Sequence, residues 1–359
     1  MAADESALEA AWAGWSDALV ASLFPAGMAA GQNFAFGQTT LVADFANNDP
    51  LVVNAEVFRV ADTVPGASAV FAPLASLSDA FGFFLKRLNL PALSQTQANW
   101  EAANSSAPSA YNMPTRSGDP APAGSTATPA TPAAIRYLPA YELDSGFRAK
   151  YQEWQASSIA GRTTAGGVIR FSIGAAAPLR ANSVAAKPHA PLMPFIRVLA
   201  PQPSHSASAP ALANAPSVEG SCTIEVAFTG LGTFMLGPGR WFSDTAVRLF
   251  AGQLGAADQG SFFGNDGVLA RRIYQVILGF EPSVNLHFDD AQAAGSAQAA
   301  LAQGPGAAIG VGPLSFAAPA STAGSGGNGS TVSLGPTPST LPILLGVVSI
   351  DLANLPPVS

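Results

Sequence analysis

Three stretches with no hydrophobic period interrupt the chain and limit what it can fold into. The longest, NSSAPSAYNMPTRSGDPAPAGSTATPATPA at 104–133, consists largely of Pro, Ser, Thr and Ala. Two more occupy 201–219 and 318–340, the last containing SGGNGS. A segment of this kind has no apolar face to bury and cannot seed a core. The buried structure must therefore come from the runs between them. The chain divides into a helix-rich region at 1–103, a low-complexity linker or surface loop at 104–133, and a β-rich region with short helices at 134–359. The expected fold class is α+β. A mainly antiparallel β core fills the C-terminal two thirds, after a helical N-terminal region, with long Pro/Gly/Ser-rich loops.

The first run is a helix. Ser6 and Glu9 form a capping box, and Leu8, Trp12, Trp15, Leu19 and Leu23 recur at steps of three or four. Pro25 and Gly27 stop it. LVVNAEVFRVADTV at 51–64 alternates as a strand does. Leu77, Phe81, Phe84 and Leu88 set a helix at 74–88, with a short one at 95–103. Beyond the linker a helix begins near Ser145. GVIRFSI (167–173), PFIRVL (194–199) and CTIEVAF (222–228) read as strands. RIYQVILGF (272–280) fits a strand or a helix, and VNLHF (284–288) is expected to pair with it across Glu281-Pro282-Ser283. DDAQAAGSAQAALAQ reads as a helix capped by Asp289 or Asp290. AIGVGPLSF and ILLGVVSIDL close the chain as strands.

Charge narrows the function. Only 11% of residues are charged, less than half the roughly 25% of ordinary domains. The net charge is -7 and the basic residues are scattered, which argues against a nucleic-acid partner. No run of about 18 apolar residues is present, so no transmembrane segment is expected. The polar face of the first helix carries Asp4, Glu5, Glu9 and Asp17, the opposite of an anionic-lipid anchor. MAADESALEAAW lacks the basic start of a secretory signal, so the expected location is cytoplasmic or exported without a classical signal. A single cysteine, Cys222, excludes an intramolecular disulfide framework and reads as a buried, inert thiol.

The stretch AFTGLGTFMLGPGRWFSDTAVRLF (227–250) raises the question of a nucleotide site. Gly232 and Gly237 have Walker spacing, but Pro238 and Gly239 stand where Lys and Ser or Thr are needed. Gly230-Leu231-Gly232 lacks the third glycine of a dinucleotide fingerprint. The expectation is structural. A strand leads to a Gly237-Pro238-Gly239 turn, and Ser243 then caps a helix through Phe250. Trp241 and Phe242 pack that turn onto the core. His287, Asp289 and Asp290 form an HxDD cluster, the one weak catalytic alternative. No GxSxG elbow is present, and no cofactor or metal is expected.

Two functions follow from these features. The preferred expectation is a non-catalytic structural or self-assembling subunit of a coat, sheath, shell or filament. Its partners are copies of itself or other assembly subunits, with Trp12, Trp15, Trp241 and Phe242 as interaction residues. The alternative is an α+β hydrolase or glycan-binding protein with an aromatic cleft using Trp100, Trp154, Trp241 and Tyr274.

Overall fold

The computed structural model describes residues 2–42, 60–66, 71, 73–88, 112–115, 136–139, 141–159, 167–173, 195–199, 221–238, 242–265, 267–302, 308–317, 330–336 and 342–352. In chain order the elements are α1 (Ala2–Leu23), β1 (Gln32–Val42), β2 (Thr63–Pro65), β3 (Pro73–Ser76), α2 (Leu77–Arg87), β4 (Asn112–Thr115), β5 (Arg136–Pro139) and β6 (Tyr141–Leu143). Then come α3 (Phe147–Ile159), β7 (Gly167–Ile173), β8 (Ile196–Leu199), β9 (Cys222–Pro238), α4 (Asp244–Phe250) and α5 (Ala256–Phe263). The last are β10 (Arg271–Phe288), α6 (Ala291–Leu301), β11 (Ala308–Val311), β12 (Leu314–Ala317), β13 (Thr331–Leu334) and β14 (Ile343–Asp351). The fold is mixed α+β, mostly β, around a curled antiparallel sheet.

Two long strands form the spine. β9 has 17 residues and β10 has 18, and they pair in one register from Gln275↔Met235 to Phe288↔Cys222. At one end β10 pairs with β14, β14 with β1, and β9 with β6. At the other end β7 pairs with β9 and β13 with β10. A separate sheet of order β12-β11-β8 stands beside this frame, and β11 and β12 are joined by a tight turn with Gly312 at φ 55.

The spine changes face halfway along. In β9, Ile224, Val226 and Phe228 enter one core, whereas Phe234 and Leu236 enter a second. In β10, Leu278 and Phe280 belong to the second core, and Val284, Leu286 and Phe288 to the first. Side chains alternate along a strand with period two, so even-numbered residues should stay on one face. They swap between 228 and 234 on β9 and between 280 and 284 on β10, at the same level of the ladder. On β10 the cause is Glu281, a non-glycine residue with φ 47. One residue in the left-handed region turns the pleat over.

The first core joins α1, α6 and the β12-β11-β8 sheet to the main sheet. Trp12 stacks on Phe36 at 4.8 Å between ring centroids, and Phe195 meets Trp12 edge-on at 5.0 Å. The second core lies under α2, α3, α4 and α5. Phe81 meets Phe242 at 4.6 Å, and Phe147 meets Phe234 at 4.8 Å. Burying each such ring contributes roughly 1.5–3 kcal/mol. β14 runs between the two cores, with Leu345 and Val348 in one and Leu344 and Val347 in the other. Its burial on both faces explains the continuous apolar text ILLGVV.

Several expected elements take a different form. RIYQVILGF is a strand, and VNLHF continues it rather than pairing with it: both lie in β10, which keeps one register against β9 on either side of Glu281. β3 takes Pro73–Ser76, so the helix expected from 74 starts at Leu77. Of the strand expected at 51–64, residues 51–59 lie outside the described residues; Val60 and Ala61 are helical and only Thr63–Pro65 is strand. The helix expected at 95–103 also lies outside the described residues. β4 sits inside 104–133 and pairs with β5, and β13 sits inside 318–340.

Candidate functional site

The glycine-rich stretch 227–250 is built into the frame. Gly230 and Gly232 lie within β9, opposite Phe280 and Leu278. A strand paired on the ladder does not form the loop that wraps a phosphate. Ser243 caps α4, its Oγ accepting from Ala246 N at 3.1 Å, as its sequence position implies. Phe242 is 8% exposed and packs on Phe81. The turn expected at Gly237-Pro238 is instead the end of β9, paired with Glu142 and Tyr141 of β6, and Gly237 has no positive φ and open space where a Cβ would stand.

The HxDD residues diverge. His287 ends on the exposed face of β10, with Nδ1 3.2 Å from Thr331 Oγ1. β10 stops at Phe288, so Asp289 leaves the strand and accepts a hydrogen bond from the Ser221 hydroxyl. Asp290 caps α6, accepting from Gln292 N at 3.0 Å. Among the described residues no group of three or more His, Cys, Asp or Glu is placed to hold a metal ion. Cys222 is buried, and burial pushes its thiol up to about 12, with the Asp289 charge adding to the effect. A thiol so rarely ionised is a poor nucleophile.

Four of the aromatic candidates, Trp12, Trp15, Trp154 and Phe242, are consumed by the cores. Trp12 and Trp15 are 1% and 0% exposed, enclosed by the chain's own Phe36, Phe171 and Phe195. Their rings are occupied within the chain rather than offered to a neighbour. Trp154 is 3% exposed and stacks on Phe280, so it is no open platform for a sugar. Tyr274 lies beneath the Arg272 guanidinium, 6.0 Å from its ring centre. Trp100 and Trp241 lie outside the described residues.

One half-buried polar cluster has no counterpart among the sequence expectations. Asp62 accepts from Ser76 Oγ at 2.7 Å, Ser78 N at 2.9 Å, Ser78 Oγ at 3.0 Å and Tyr141 OH at 3.0 Å. These donors come from β3, the first turn of α2, and β6. Nearby, buried Arg272 holds Asp244 through two hydrogen bonds of 3.3 Å. Burial raises the Asp62 carboxyl above its usual range, and the hydrogen bonds offset only part of that. Burial, followed by the Asp62 charge, also raises the Tyr141 hydroxyl. The signal in the sequence is the serine pair before a helix, with Ser76 Oγ accepting from Asp79 N at 3.2 Å. Nothing local points to Asp62 as its partner.

The outer face of β7, β9, β10 and β13 is left uncovered by the two cores. Its cross-strand rows are Val168–Ala227–Ser283, Arg170–Glu225–Asn285–Ser333 and Ser172–Thr223–His287–Thr331. Every one of these residues is half-buried or exposed, and Val168 is 41% exposed. Arg170 donates through Nε to Glu225 at 2.9 Å and through a second nitrogen to the same oxygen. Ser172 and Thr223 hydroxyls meet at 3.1 Å. Apart from the compensated Arg170–Glu225 pair and His287, the face is made of small polar and apolar groups.

Comparison of the chain with family models, with curated proteins and with solved structures finds no match. No helix among the described residues is long and apolar enough to cross a membrane.

Proposed function

We propose that the protein is a non-catalytic structural subunit that associates with copies of itself, as in a coat, sheath, shell or filament. The observation carrying this reading is the uncovered outer face of β7, β9, β10 and β13. Its fixed charges cancel within the face, so it does not repel an identical face. The low charge of the whole chain favours the same outcome. The dispersal of His287, Asp289 and Asp290 and the enclosure of Trp154 count against the hydrolase or glycan-binding alternative.

Mass photometry with negative-stain imaging of the purified chain tests the proposal. Regular particles much larger than one 36.3 kDa chain are expected. A monodisperse monomer, stabilised by a small sugar or peptide ligand, overturns it.

A further inference from the structure

The outer sheet face matches itself row by row. On β7 and its neighbour β9, the rows set Val168 beside Ala227, Arg170 beside Glu225 and Ser172 beside Thr223. Consider a second copy laid face to face, with a twofold axis running along the strands midway between β7 and β9. That rotation keeps each row at its own height and exchanges the two strands. Val168 then lies over the copy's Ala227, Arg170 over the copy's Glu225, and Ser172 over the copy's Thr223. Each row is thus complementary: apolar on apolar, cation on carboxylate, hydroxyl on hydroxyl.

We propose that these six residues form a twofold contact between two copies of the chain, a detail that rests on the self-assembly reading above. The occupant is a second copy because the face complements its own image in charge and in polarity. The two Arg170–Glu225 pairs come together as an alternating square of charges, in which each cation has two carboxylate neighbours. The contact covers Val168, which is 41% exposed in the single chain. Its side chains are mostly short, which suits the ~10 Å spacing of stacked sheets.

The contact is small. Two strands at ~4.8 Å and three rows over ~14 Å give on the order of 130 Å² per partner, well below the ~600 Å² per partner of a stable pair. It therefore closes as one of several contacts in a larger assembly and does not hold an isolated dimer.

Cross-linking between two variants tests this. Val168→Cys and Ala227→Cys are made in separate chains, mixed under assembly conditions, and treated with a short bis-maleimide. Cys222 stays silent, since its buried thiol is pushed up to about 12. Circular dichroism and sedimentation first establish that both variants fold and assemble as wild type does. A cross-linked pair from the mixture, several-fold above either variant alone, is the expected result. An assembled mixture that cross-links no better than the single variants overturns this contact and leaves the self-assembly reading standing. So does preferential linkage of an Ala227→Cys and Ser283→Cys mixture, which moves the axis to β9 and β10. A wild type that stays monomeric at every concentration removes both.

Discussion

Trp154 lies directly across Gly230: a Cβ added to that glycine would stand 2.2 Å from Trp154 Cδ2. Gly230 sits where the long strands exchange cores, and the indole of α3 occupies the space that any side chain there would need. Gly230→Ala forces the tryptophan or the strand to move. The expected loss of stability is about 1–3 kcal/mol, read from urea unfolding. Gly237, seven residues along the same strand, has open space around its Cβ position. Gly237→Ala should stay within about 0.5 kcal/mol of wild type. Equal losses at the two positions would contradict this account of the kink.

Glu281 should be sensitive to backbone shape more than to charge. Its φ of 47 suits glycine and strains a β-branched residue. Glu281→Val is expected to be less stable than Glu281→Gly by roughly 1–3 kcal/mol, the scale of strain at such a residue. Both variants lose the 2.6 Å hydrogen bond that the Ser158 hydroxyl gives the carboxylate, so their difference isolates the backbone. Equal stabilities would place the importance of Glu281 in its carboxylate.

Asp62 gives the fold a specific pH dependence. Its folded-state carboxyl is raised from 3.8, chiefly by burial. Protonation is therefore easier in the folded chain than in the unfolded one. The stability this contributes is complete below 3.8 and is lost as pH rises through the raised folded value. Urea midpoints of wild type and Asp62→Asn between pH 4 and 7 should show wild type losing ground to the variant as pH rises. A constant difference across that range would mean that Asp62 does not titrate differently in the two states.

Cys222 should resist alkylation. With the thiol pushed up to about 12, its thiolate fraction at pH 8 is roughly two thousandfold below that of an ordinary thiol of pKa ~8.5. Iodoacetamide should leave native protein unmodified over hours and label it promptly in urea. Rapid native labelling would show that the first end of β9 opens easily.

Local chemistry was legible in the sequence and long-range placement was not. The Ser243 cap, the strand from Cys222 and the Asp290 cap were readable because each depends on residues a few positions apart. β1 escaped notice because QNFAFGQTTLV alternates weakly, and its partner β14 is some 300 residues away. The kink at Glu281 carries no signature, since glutamate gives no hint of a left-handed φ. The neighbouring Pro282, which reads as a turn residue, divides the text of this single strand into two apparent ones. HxDD looked like a site because His287 and Asp289 would share a face if the strand continued, and β10 stops between them. The spacing of Trp12 and Trp15 marks an apolar stripe on α1, but nothing local shows that Phe36, Phe171 and Phe195 of the same chain enclose them, which leaves no room for the expected role as interaction residues.

Sedimentation velocity of the wild-type chain over a wide concentration range, at low and at physiological salt, tests the central claim most directly. Contacts made largely by small and apolar groups should be little affected when charges are screened within ~8 Å, apart from the small share carried by Arg170–Glu225 pairs between copies. The account predicts large species that grow with concentration at both salts and differ little between them. A chain that remains a monomer throughout would contradict it.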